Sequence, residues 1–376
     1  MYKLFGKGGA SLGQVKIYDA LKNLVDNNNE YQLSVVSLDA EQFTYKYPNA
    51  NIKKTRTLDV LSRVFWHSTY FYFNWVKIRK SIFSENFDLV IIGNSKLGFI
   101  AKDLKKHSPN TKTVVHFDNI EYDAALSYYA DKKNPINSIK RIIDQLVTKN
   151  DEKKSIRYSD HLFFLSKRDS NRAKVLYKNQ TKYSIWPVTL KQGKPLEIQE
   201  TKTIVFLGTL SYGSNLKALE WFLEKVWSEI NLECKFIIAG NKPTKELINR
   251  ISGDSQISLY ADFNDLADII PQSSLLIAPV YWGAGMKVKV AEALSYGLHI
   301  IGTDEAFVGY DELVLSNSLI KANNPNEFIT GISQYLALSI TKLNENSYNH
   351  ISQWKKLYSD KTSISILSEF MKEITK

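Results

Sequence analysis

The stretch "TIVFLG" (Thr203–Gly208) leads through a short loop into "NLKALEWFLEKVWSEI" (Asn215–Ile230). The first run is short, apolar and closed by a glycine, which is typical of a buried strand, and the second has apolar residues at helical spacing. The same alternation continues through "CKFIIAG", "TKELINRI", "SLLIAPV", "KVAEALSYG" and "HIIGTD". Strands alternating with helices predict a parallel, doubly wound α/β sheet, in which ligands bind at the carboxyl ends of the strands.

The first half of the chain repeats this pattern less regularly. The predicted strands are "YQLSVVSL", "FDLVIIG", "TKTVVHF", "HLFFLS" and "KYSIWPV". The polar stretch Thr189–Lys202 has the composition of a linker between domains. We therefore predict an N-terminal domain over residues 1–188 and a C-terminal domain over residues 200–358. Residues 359–376 are predicted to form a helix that packs back on the N-terminal domain.

Length and composition limit the classes of protein to which the chain can belong. At 376 residues with 44% apolar content, the chain is long enough for two domains with cores of their own. Its one cysteine excludes an internal disulfide framework, and no signal peptide or membrane-spanning stretch is evident. We expect a cytoplasmic protein, peripheral at the inner face of the plasma membrane.

The positive charge is concentrated in the first half. Residues 1–190 hold 31 lysines and arginines against 18 acidic residues, and the remainder holds 18 against 21. Such an imbalance indicates an anionic partner, either nucleic acid or a lipid surface. No zinc-ligand spacing or RNA-binding motif is present, so we expect no nucleic acid. Six scattered histidines and no D-x-D tripeptide predict no metal site.

The segment "RVFWHSTYFYFNWVKIRKSIF" (Arg63–Phe83) is rich in aromatic residues. One interpretation is a helix packed in the core, because aromatic side chains bury large areas. The other is an interfacial helix, with its aromatic residues at the lipid headgroups and Lys77, Arg79 and Lys80 on anionic lipid. The basic excess of this half favours contact with an anionic membrane surface.

The segment "GAGMKVKVAEALSYG" (Gly283–Gly297) places Lys287 and Lys289 at the start of a predicted helix. A helix N-terminus carries partial positive charge, so two lysines have the wrong sign there unless an anion lies beside them. The alternative is a solvated face with a Lys289–Glu292 pair, which contributes only about 0.2 to 0.5 kcal/mol. The preceding glycines favour an anion site.

Three segments together resemble a known family. "VFLGTLSYGSNLKALEWFLEKVW", "FIIAGNKP" and "APVYWGAGMKVKVAEALSYGLHIIGTDEAFVGY" resemble the C-terminal half of GT-B glycosyltransferases of retaining family 4. "GGASLGQVKIYDALKNL", "HFDNIEYD" and "DHLFFLSKRDS" resemble the acceptor half of that family more weakly. The resemblance implies two Rossmann-like domains that face a cleft, with a nucleotide sugar held mainly by the second.

The resemblance also implies roles for individual residues. The anion would be the diphosphate of the donor, stabilised by the two lysines as its charge develops, and Glu292 would accept hydrogen bonds from the ribose. No cofactor besides the nucleotide sugar is implied. The donor residues that we expect are Gly208, Thr209, Asn215, Gly285, Met286, Lys287, Lys289 and Glu292.

Two departures from the family pattern are visible. Many members carry a second glutamate that is separated from the position of Glu292 by seven residues, and this chain has Ala284 at that position. The basic pair that often follows the first strand of this domain is also missing from "GTLSYGSN". Lys287 and Lys289 are expected to supply the cationic charge instead.

The N-terminal half contributes two candidate segments. In "HFDNIEYD", His116 and Asp118 face the same side if the strand alternation continues, and either could contact the sugar or the acceptor hydroxyl. Near the start, Gly8 and Gly9 form either a flexible beginning or the Gly-Gly loop that lies beside the donor phosphate and the acceptor in the resembling enzymes.

These observations predict a retaining, metal-independent glycosyltransferase. Its reaction would move a sugar from a nucleoside diphosphate sugar to a hydroxyl of a lipid-linked glycan in bacterial-type surface polysaccharide biosynthesis. Lys287 and either His116 or Asp118 would be the catalytic residues. Two alternatives stay open: a nucleotide-sugar epimerase of the same fold, and an inactive nucleotide-sugar-binding partner of a glycan assembly complex.

Overall fold

The structure is a computed structural model of the chain. It divides into two compact units. The first consists of Met1–Pro187, Ala284–Met286 and Ser363–Lys376, and the second of Val188–Gly283 and Lys287–Thr362. The described residues are 9–38, 54–129, 134–178, 180–194, 196, 201–230, 234–261, 263–272, 274–315 and 319–374.

The first unit is built on a parallel sheet. Four strands lie in the order β1 (Leu89–Ile92), β2 (Lys112–Phe117), β3 (His161–Phe164) and β4 (Tyr183–Ile185). All three pairings are parallel. The carboxyl ends of these strands therefore share one edge of the sheet, where polar residues that follow the strands come together.

Seven helices belong to the described part of the first unit before Pro187. The longest begins at Pro135, where the side chain of Asn134 accepts a hydrogen bond from the amide of Ile136 and proline occupies the first turn. The helices are α1 (Gly9–Asp26), α2 (Arg56–Val64), α3 (Phe71–Phe83), α4 (Gly98–His107), α5 (Glu121–Tyr129), α6 (Pro135–Arg157) and α7 (Lys167–Tyr177).

The aromatic segment that precedes β1 lies mainly in the core. Phe71, Trp75 and Ile78 of α3 are buried and pack with the apolar side of the sheet. Arg79 forms an ion pair with Asp103 at 3.2 Å. Of the two interpretations of this segment, the structure agrees with a helix packed in the core, because the apolar face of α3 is turned toward the sheet. The expectation that α3 itself is an interfacial helix is wrong for its aromatic residues.

The second unit has a six-stranded parallel sheet. Its strands are β5 (Thr203–Leu207), β6 (Lys235–Ala239), β7 (Ile257–Tyr260), β8 (Leu275–Ala278), β9 (His299–Gly302) and β10 (Ile320–Lys321). Their order is β10-β9-β8-β5-β6-β7. The chain adds β6 and β7 on one side of β5 and then crosses over to add β8, β9 and β10 on the other side, so the strand order reverses between β5 and β8. A reversal of this kind marks the ligand-binding edge of a doubly wound sheet.

Helices cover the second sheet and continue to the end of the chain. Phe206, Phe222, Phe236 and Phe328 form part of the core between sheet and helices. The helices are α8 (Gly213–Lys225), α9 (Lys245–Ile251), α10 (Val288–Ser295), α11 (Asp311–Leu315), α12 (Pro325–Ala337), α13 (Ile340–Leu357) and α14 (Asp360–Ile374). Among the described helices, none has both the length and the apolar composition to cross a membrane.

The predicted fold class, a doubly wound α/β architecture with parallel sheets, is confirmed. The predicted strand "YQLSVVSL" is wrong, because residues 31–38 have no strand pairing in the structure. The carbonyl of Leu38 accepts a hydrogen bond from the side chain of Asn74 instead. Strands β7 and β10 were not predicted. Strand β10 has only two residues, and in β7 the apolar residues alternate with polar ones, so neither forms an apolar run.

Helix α14 contributes to the core of the first unit. Leu367, Phe370 and Met371 pack with Phe163 and Trp186. The indole nitrogen of the tryptophan also donates a hydrogen bond of 2.7 Å to the hydroxyl of Ser363. The last turns of the chain therefore bury an otherwise open side of this sheet.

Replacing Leu367 by alanine should lower the free energy of unfolding by about 2 to 5 kcal/mol, because it removes a fully buried side chain and leaves a cavity. Urea denaturation followed by circular dichroism measures the change. The exposed neighbour Glu369 provides the control, since Glu369→Ala should change the unfolding free energy little. Equal unfolding curves for the two variants would contradict the packing of α14.

Candidate functional site

The loop after β5 forms the first wall of a site at the carboxyl edge of the second sheet. Gly208 adopts a φ of +157°, and a Cβ at this position would lie 2.6 Å from the side-chain nitrogen of Asn215. That nitrogen donates a hydrogen bond of 3.2 Å to the carbonyl of Thr209. The Asn215 side chain therefore packs directly on the loop, and only glycine leaves room for it at position 208.

Lys289 lies on the other side of Asn215. Its ammonium group donates a hydrogen bond of 3.0 Å to the Oδ1 atom of Asn215 and lies 4.8 Å from the centre of the Phe206 ring. Burial and the nearby charge of Lys287 lower the pKa of Lys289 to about 8, although the charge of Glu292 acts in the opposite direction. This cation is thus held by an amide and a ring face, both of them neutral.

Lys287 immediately precedes α10 and pairs with a carboxylate. Its Nζ atom lies 2.9 Å from Oε1 of Glu305, and both side chains are largely shielded from solvent. The hydroxyl of Tyr310 donates to the carbonyl of Lys287 and accepts from the amide of Ala291. The tyrosine thereby fixes the first turn of the helix and the direction in which Lys287 leaves the backbone.

The protein itself neutralises part of the positive charge that the two lysines bring to the helix N-terminus. Glu305 supplies an anion beside Lys287, and the segment "GTDEAF" after β9 was the sequence signal for it. Lys289 has a neutral amide as its hydrogen-bond acceptor. Two largely shielded ammonium groups therefore lie beside a helix N-terminus, an arrangement that attracts an additional anion.

Glu292 is on α10, three residues after Lys289. Burial raises the pKa of Glu292, while the charge of Lys289 acts in the opposite direction. The carboxylate is half-buried, as expected of a group that accepts hydrogen bonds at the edge of a site. Glu292 therefore lies on the helix where the sequence placed it, and its binding to the ribose stays a prediction.

The glycine loop before α10 has special backbone geometry at two positions. Gly283 has a φ of +147° and Gly285 a φ of +65°, both in the region that favours glycine. Met286 is buried. Ala284–Met286 groups with the first unit, in which a Cβ at Gly285 would lie 2.6 Å from the carbonyl oxygen of Asp118.

The carboxyl edge of the first sheet carries a buried charged cluster. The Nδ1 atom of His116 lies 3.2 Å from Oδ1 of Asp118, so these residues do face the same side. Lys16 from α1 adds its positive charge to both, which further lowers the pKa of His116 that burial already lowers. Among the described residues, none forms a hydrogen bond with Nε2 of His116.

Lys16 was not predicted as a site residue. Its ammonium group donates to the carbonyls of Trp186 at 3.1 Å and Pro187 at 2.8 Å. Burial lowers the pKa of Lys16 to about 7, against the charge of Asp118, which raises it. The signal in the sequence was a lysine within the apolar stripe of "GGASLGQVKIYDALKNL", which sequence alone does not separate from a surface lysine.

The segment that follows Asp118 is fixed by a second buried acid, Glu152 of α6. Its carboxylate accepts hydrogen bonds from the amides of Glu121 and Tyr122, at the start of α5, and from the hydroxyl of Ser95. Burial raises the pKa of Glu152 to about 7. This carboxylate caps α5 and therefore determines where "HFDNIEYD" runs.

Of the two N-terminal glycines, only Gly9 belongs to the described residues. Gly9 is the first residue of α1 and so lies in a helix, not in a loop. Gly8 lies outside the described residues. The expected role of this pair beside the donor phosphate and the acceptor stays a prediction.

A cavity of about 470 Å³ lies elsewhere in the first unit. Its lining includes Lys153, Arg157, Tyr177, Lys178 and Lys182. These residues come from the ends of α6 and α7 and from the segments that enter β3 and β4, at the amino edge of the sheet. The cavity is thus at the opposite edge from His116 and Asp118.

These features define a class of protein. Doubly wound units with cationic groups at the carboxyl edge bind anionic substrates, and nucleotides are frequent among them. Residues 201–337 match the family model described as glycosyl transferases group 1. This match contains β5 to β10 together with both lysines, Asn215 and Glu292.

A protein relative and several solved structures are also similar. An uncharacterized 44.6 kDa protein in the cps region of Klebsiella pneumoniae is 24% identical over 315 residues, 79% of this chain and 76% of the relative. A sucrose-phosphate synthase from Thermosynechococcus elongatus is 12% identical, with a TM-score of 0.67 over 98% of this chain and 94% of that one.

Anabaena HepE in complex with UDP and glucose has a TM-score of 0.61 at 13% identity, over 98% of this chain and 97% of that one. At such identities the structural likeness shows the fold, which is of the GT-B type. The chain carries a glycosyl transferases group 1 domain within that fold. It is an enzyme of the glycosyltransferase class.

Replacing Gly285 by alanine should lower the stability of the protein by about 1 to 3 kcal/mol, because alanine disfavours this φ and its Cβ meets the Asp118 carbonyl. Gly213→Ala is the matched control, since a Cβ there meets nothing within 4 Å. Thermal unfolding measures both. Equal midpoints for the two variants would contradict the described loop geometry.

Proposed function

We propose that the protein transfers a sugar from a nucleoside diphosphate sugar to a hydroxyl of a lipid-linked glycan, with retention at the anomeric carbon and without a metal ion. The observation that carries this proposal is the pair of largely shielded ammonium groups at the start of α10, inside the matched domain. Retention and assignment to family 4 rest on the resemblance of the sequence motifs.

In the proposed reaction, the bond between the anomeric carbon and the diphosphate oxygen breaks while a bond to the acceptor oxygen forms. Negative charge develops on the departing diphosphate, and Lys287 and Lys289 stabilise it in a site with little water. The departing phosphate oxygen takes the proton of the acceptor hydroxyl on the same face of the sugar. Glu292 accepts hydrogen bonds from the ribose.

The Lys287–Glu305 pair has a specific part in this scheme. In the described structure the carboxylate neutralises the ammonium group at 2.9 Å. A diphosphate carries more negative charge and more acceptor oxygens than one carboxylate, so it competes for the same ammonium group. Glu305 would keep Lys287 in place before the donor binds and weaken donor affinity by its own charge.

In the first unit, we assign the sugar contact to His116 or Asp118. The imidazole is fully buried and its pKa is lowered mainly by burial, so it is neutral near pH 7. Asp118 is the partly exposed member of the pair, so its side chain is the one that a ligand hydroxyl reaches first, with His116 behind it. Lys16 acts as a positioning residue, because it holds the Trp186 and Pro187 carbonyls and faces the Asp118 charge.

The biological context is proposed from the relatives. The Klebsiella pneumoniae relative is described by its place in a cps region, and Anabaena HepE has structures in complex with UDP and with UDP-glucose. We therefore propose surface polysaccharide biosynthesis as the process and a uridine nucleotide sugar as the first donor to test. The proposed place of action is the cytoplasmic face of the plasma membrane.

One observation supports a second candidate, an inactive nucleotide-sugar-binding partner of a glycan assembly complex. Position 284 holds alanine where many resembling enzymes carry a glutamate. Incubation of the protein with radiolabelled UDP-sugars and membrane extracts separates the candidates. Label transferred to lipid-extractable glycan supports the enzyme, and tight donor binding without transfer supports the binding partner. Donor turnover without any acceptor would instead indicate an epimerase.

Lys287→Ala should weaken UDP binding about a hundredfold and uridine binding little, because only the diphosphate contacts the ammonium group. Isothermal titration calorimetry measures both affinities. Lys342→Ala is the control, since Lys342 forms an exposed ion pair with Glu345 on α13. Equal losses for UDP and uridine would refute the assigned contact.

Glu305→Gln should tighten UDP binding several-fold, because it removes the competing carboxylate and leaves Lys287 in place. The double variant Lys287→Ala with Glu305→Gln should bind UDP more tightly than Lys287→Ala alone, because the negative charge of Glu305 then no longer repels the diphosphate. The same calorimetric titration measures these affinities. Weaker UDP binding by Glu305→Gln would show that the pair does not compete with the donor.

UDP affinity should fall about tenfold between pH 7 and pH 9, because Lys289, with a pKa of about 8, loses its charge in the free protein over this range. The sign follows from linkage, since bound diphosphate favours the protonated ammonium group. Uridine affinity should change little, and Lys289→Met should remove the dependence. A UDP affinity that rises with pH would contradict this assignment.

A further inference from the structure

Helix α6 carries an unusual exposed face in the first unit. Five large aliphatic side chains on it are between 39% and 61% exposed: Ile136, Ile139, Ile142, Ile143 and Leu146. Their spacing places them on one side of the helix, away from buried Glu152 and Ser155. A soluble helix ordinarily turns such a stripe toward a core, so this row indicates a surface that is covered by a partner.

The end of α2 extends the same surface. Val60, Val64, Phe65 and Trp66 are between 50% and 72% exposed. The two helices are joined by charge and hydrogen bonds: Nε of Arg63 lies 2.9 Å from Oδ1 of Asp144. We call these nine exposed apolar residues the α2–α6 surface.

The exposed indole of Trp66 is held by its backbone. This residue has a φ of +61°, which costs a side-chain-bearing residue free energy. Its carbonyl accepts a hydrogen bond of 3.1 Å from the side chain of Asn150, and the neighbouring amide of His67 bonds to the carbonyl of Ser62 at 2.8 Å. The fold therefore maintains a strained backbone that keeps a large apolar ring in solvent.

The acidic residues near this surface are paired with cations: Asp59, beside Val60 on α2, lies 3.4 Å from Lys54 and 3.6 Å from Arg63. The acidic residues of α6 are turned away from it: Asp144 pairs with Arg63, and Asp151 and Glu152 are buried. By helical spacing, Lys153 and Arg157 continue the exposed face beyond the apolar row, and both side chains are exposed. An apolar stripe with tryptophan and flanking cations is the composition that binds anionic lipid.

We propose that the α2–α6 surface docks the protein on an anionic lipid bilayer. The apolar side chains would enter the acyl–headgroup boundary, with the cations on the lipid phosphates. This proposal deepens the proposed function, because it names the surface through which a lipid-linked acceptor is reached. A protein partner or a second copy would more readily pair such cations with acidic residues, and the acids of α6 itself are buried or paired.

The topology supports this placement. Helix α6 leads into β3, so its last turn lies at the amino edge of the sheet and its first half at the carboxyl edge. The apolar row spans 136–146, in that first half. The docking surface is therefore at the same edge of the first unit as His116 and Asp118, where an acceptor on a lipid would be needed.

Sedimentation of the full chain with sucrose-loaded vesicles tests the proposal. The protein should bind vesicles of phosphatidylcholine with phosphatidylglycerol and bind phosphatidylcholine alone at least about tenfold more weakly. Ile139→Ser with Ile143→Ser should lower the partition coefficient about tenfold or more. The matched control is Val175→Ser, an apolar-to-polar change at an exposed position on α7 of the same unit, which should have no effect.

A second pair of variants separates charge from apolar contact. Lys153→Gln with Arg157→Gln should reduce binding to the anionic vesicles and its salt dependence. Lys77→Gln with Lys80→Gln, on α3, serves as the charge-matched control and should leave binding within about twofold. UDP binding is measured on every variant. Unchanged UDP affinity shows that the variants fold and that vesicle binding is tested independently of the donor site.

Three results would overturn the proposal. The first is an unmodified chain that does not sediment with anionic vesicles. The second is equal vesicle binding by the isoleucine variant and by Val175→Ser. The third is an isoleucine variant that changes the oligomeric state in light scattering without changing vesicle binding, which would assign the surface to a second copy of the chain.

Discussion

A buried ammonium group is the constraint on which the second unit's site depends. Lys289 is largely shielded from water, and a neutral amide, a ring face and the nearby charge of Glu292 offset its loss of hydration only in part, so that its pKa falls to about 8. Its acceptor, Asn215, also packs on Gly208, so the loop after β5 and the start of α10 are fixed as one arrangement. This fixed arrangement around a cation is the basis of the proposed anion site.

The first unit uses buried acids and a buried lysine in a similar way. Glu152 caps α5 and positions the segment that contains Asp118, and Lys16 joins α1 to the carbonyls of Trp186 and Pro187. These groups cost free energy to bury, but each satisfies backbone atoms that would otherwise be unpaired. Stable core packing and a preformed polar edge therefore depend on the same residues. A glycosyltransferase needs both, because donor chemistry requires fixed charges.

Much of the site was accessible from the sequence because the signals are local. The glycines, both lysines and Glu292 lie within a short segment, and the strand alternation placed them at the carboxyl edge of a parallel sheet. Asn215 and Thr209 were inferred from the loop after β5. Lys16, Glu305, Tyr310 and Glu152 were missed, because their importance comes from contacts between residues distant in the chain.

Periodicity alone determined the fold class, since alternating strands and amphipathic helices can bury their apolar residues only in layered α/β units. The tertiary structure decided which polar residues meet and which apolar residues stay outside. It placed the aromatic residues of α3 in the core and left the isoleucines of α6 exposed. Sequence could not separate these cases, because the same helical stripe serves a core or a surface, and only the position of the neighbouring elements determines which one it faces.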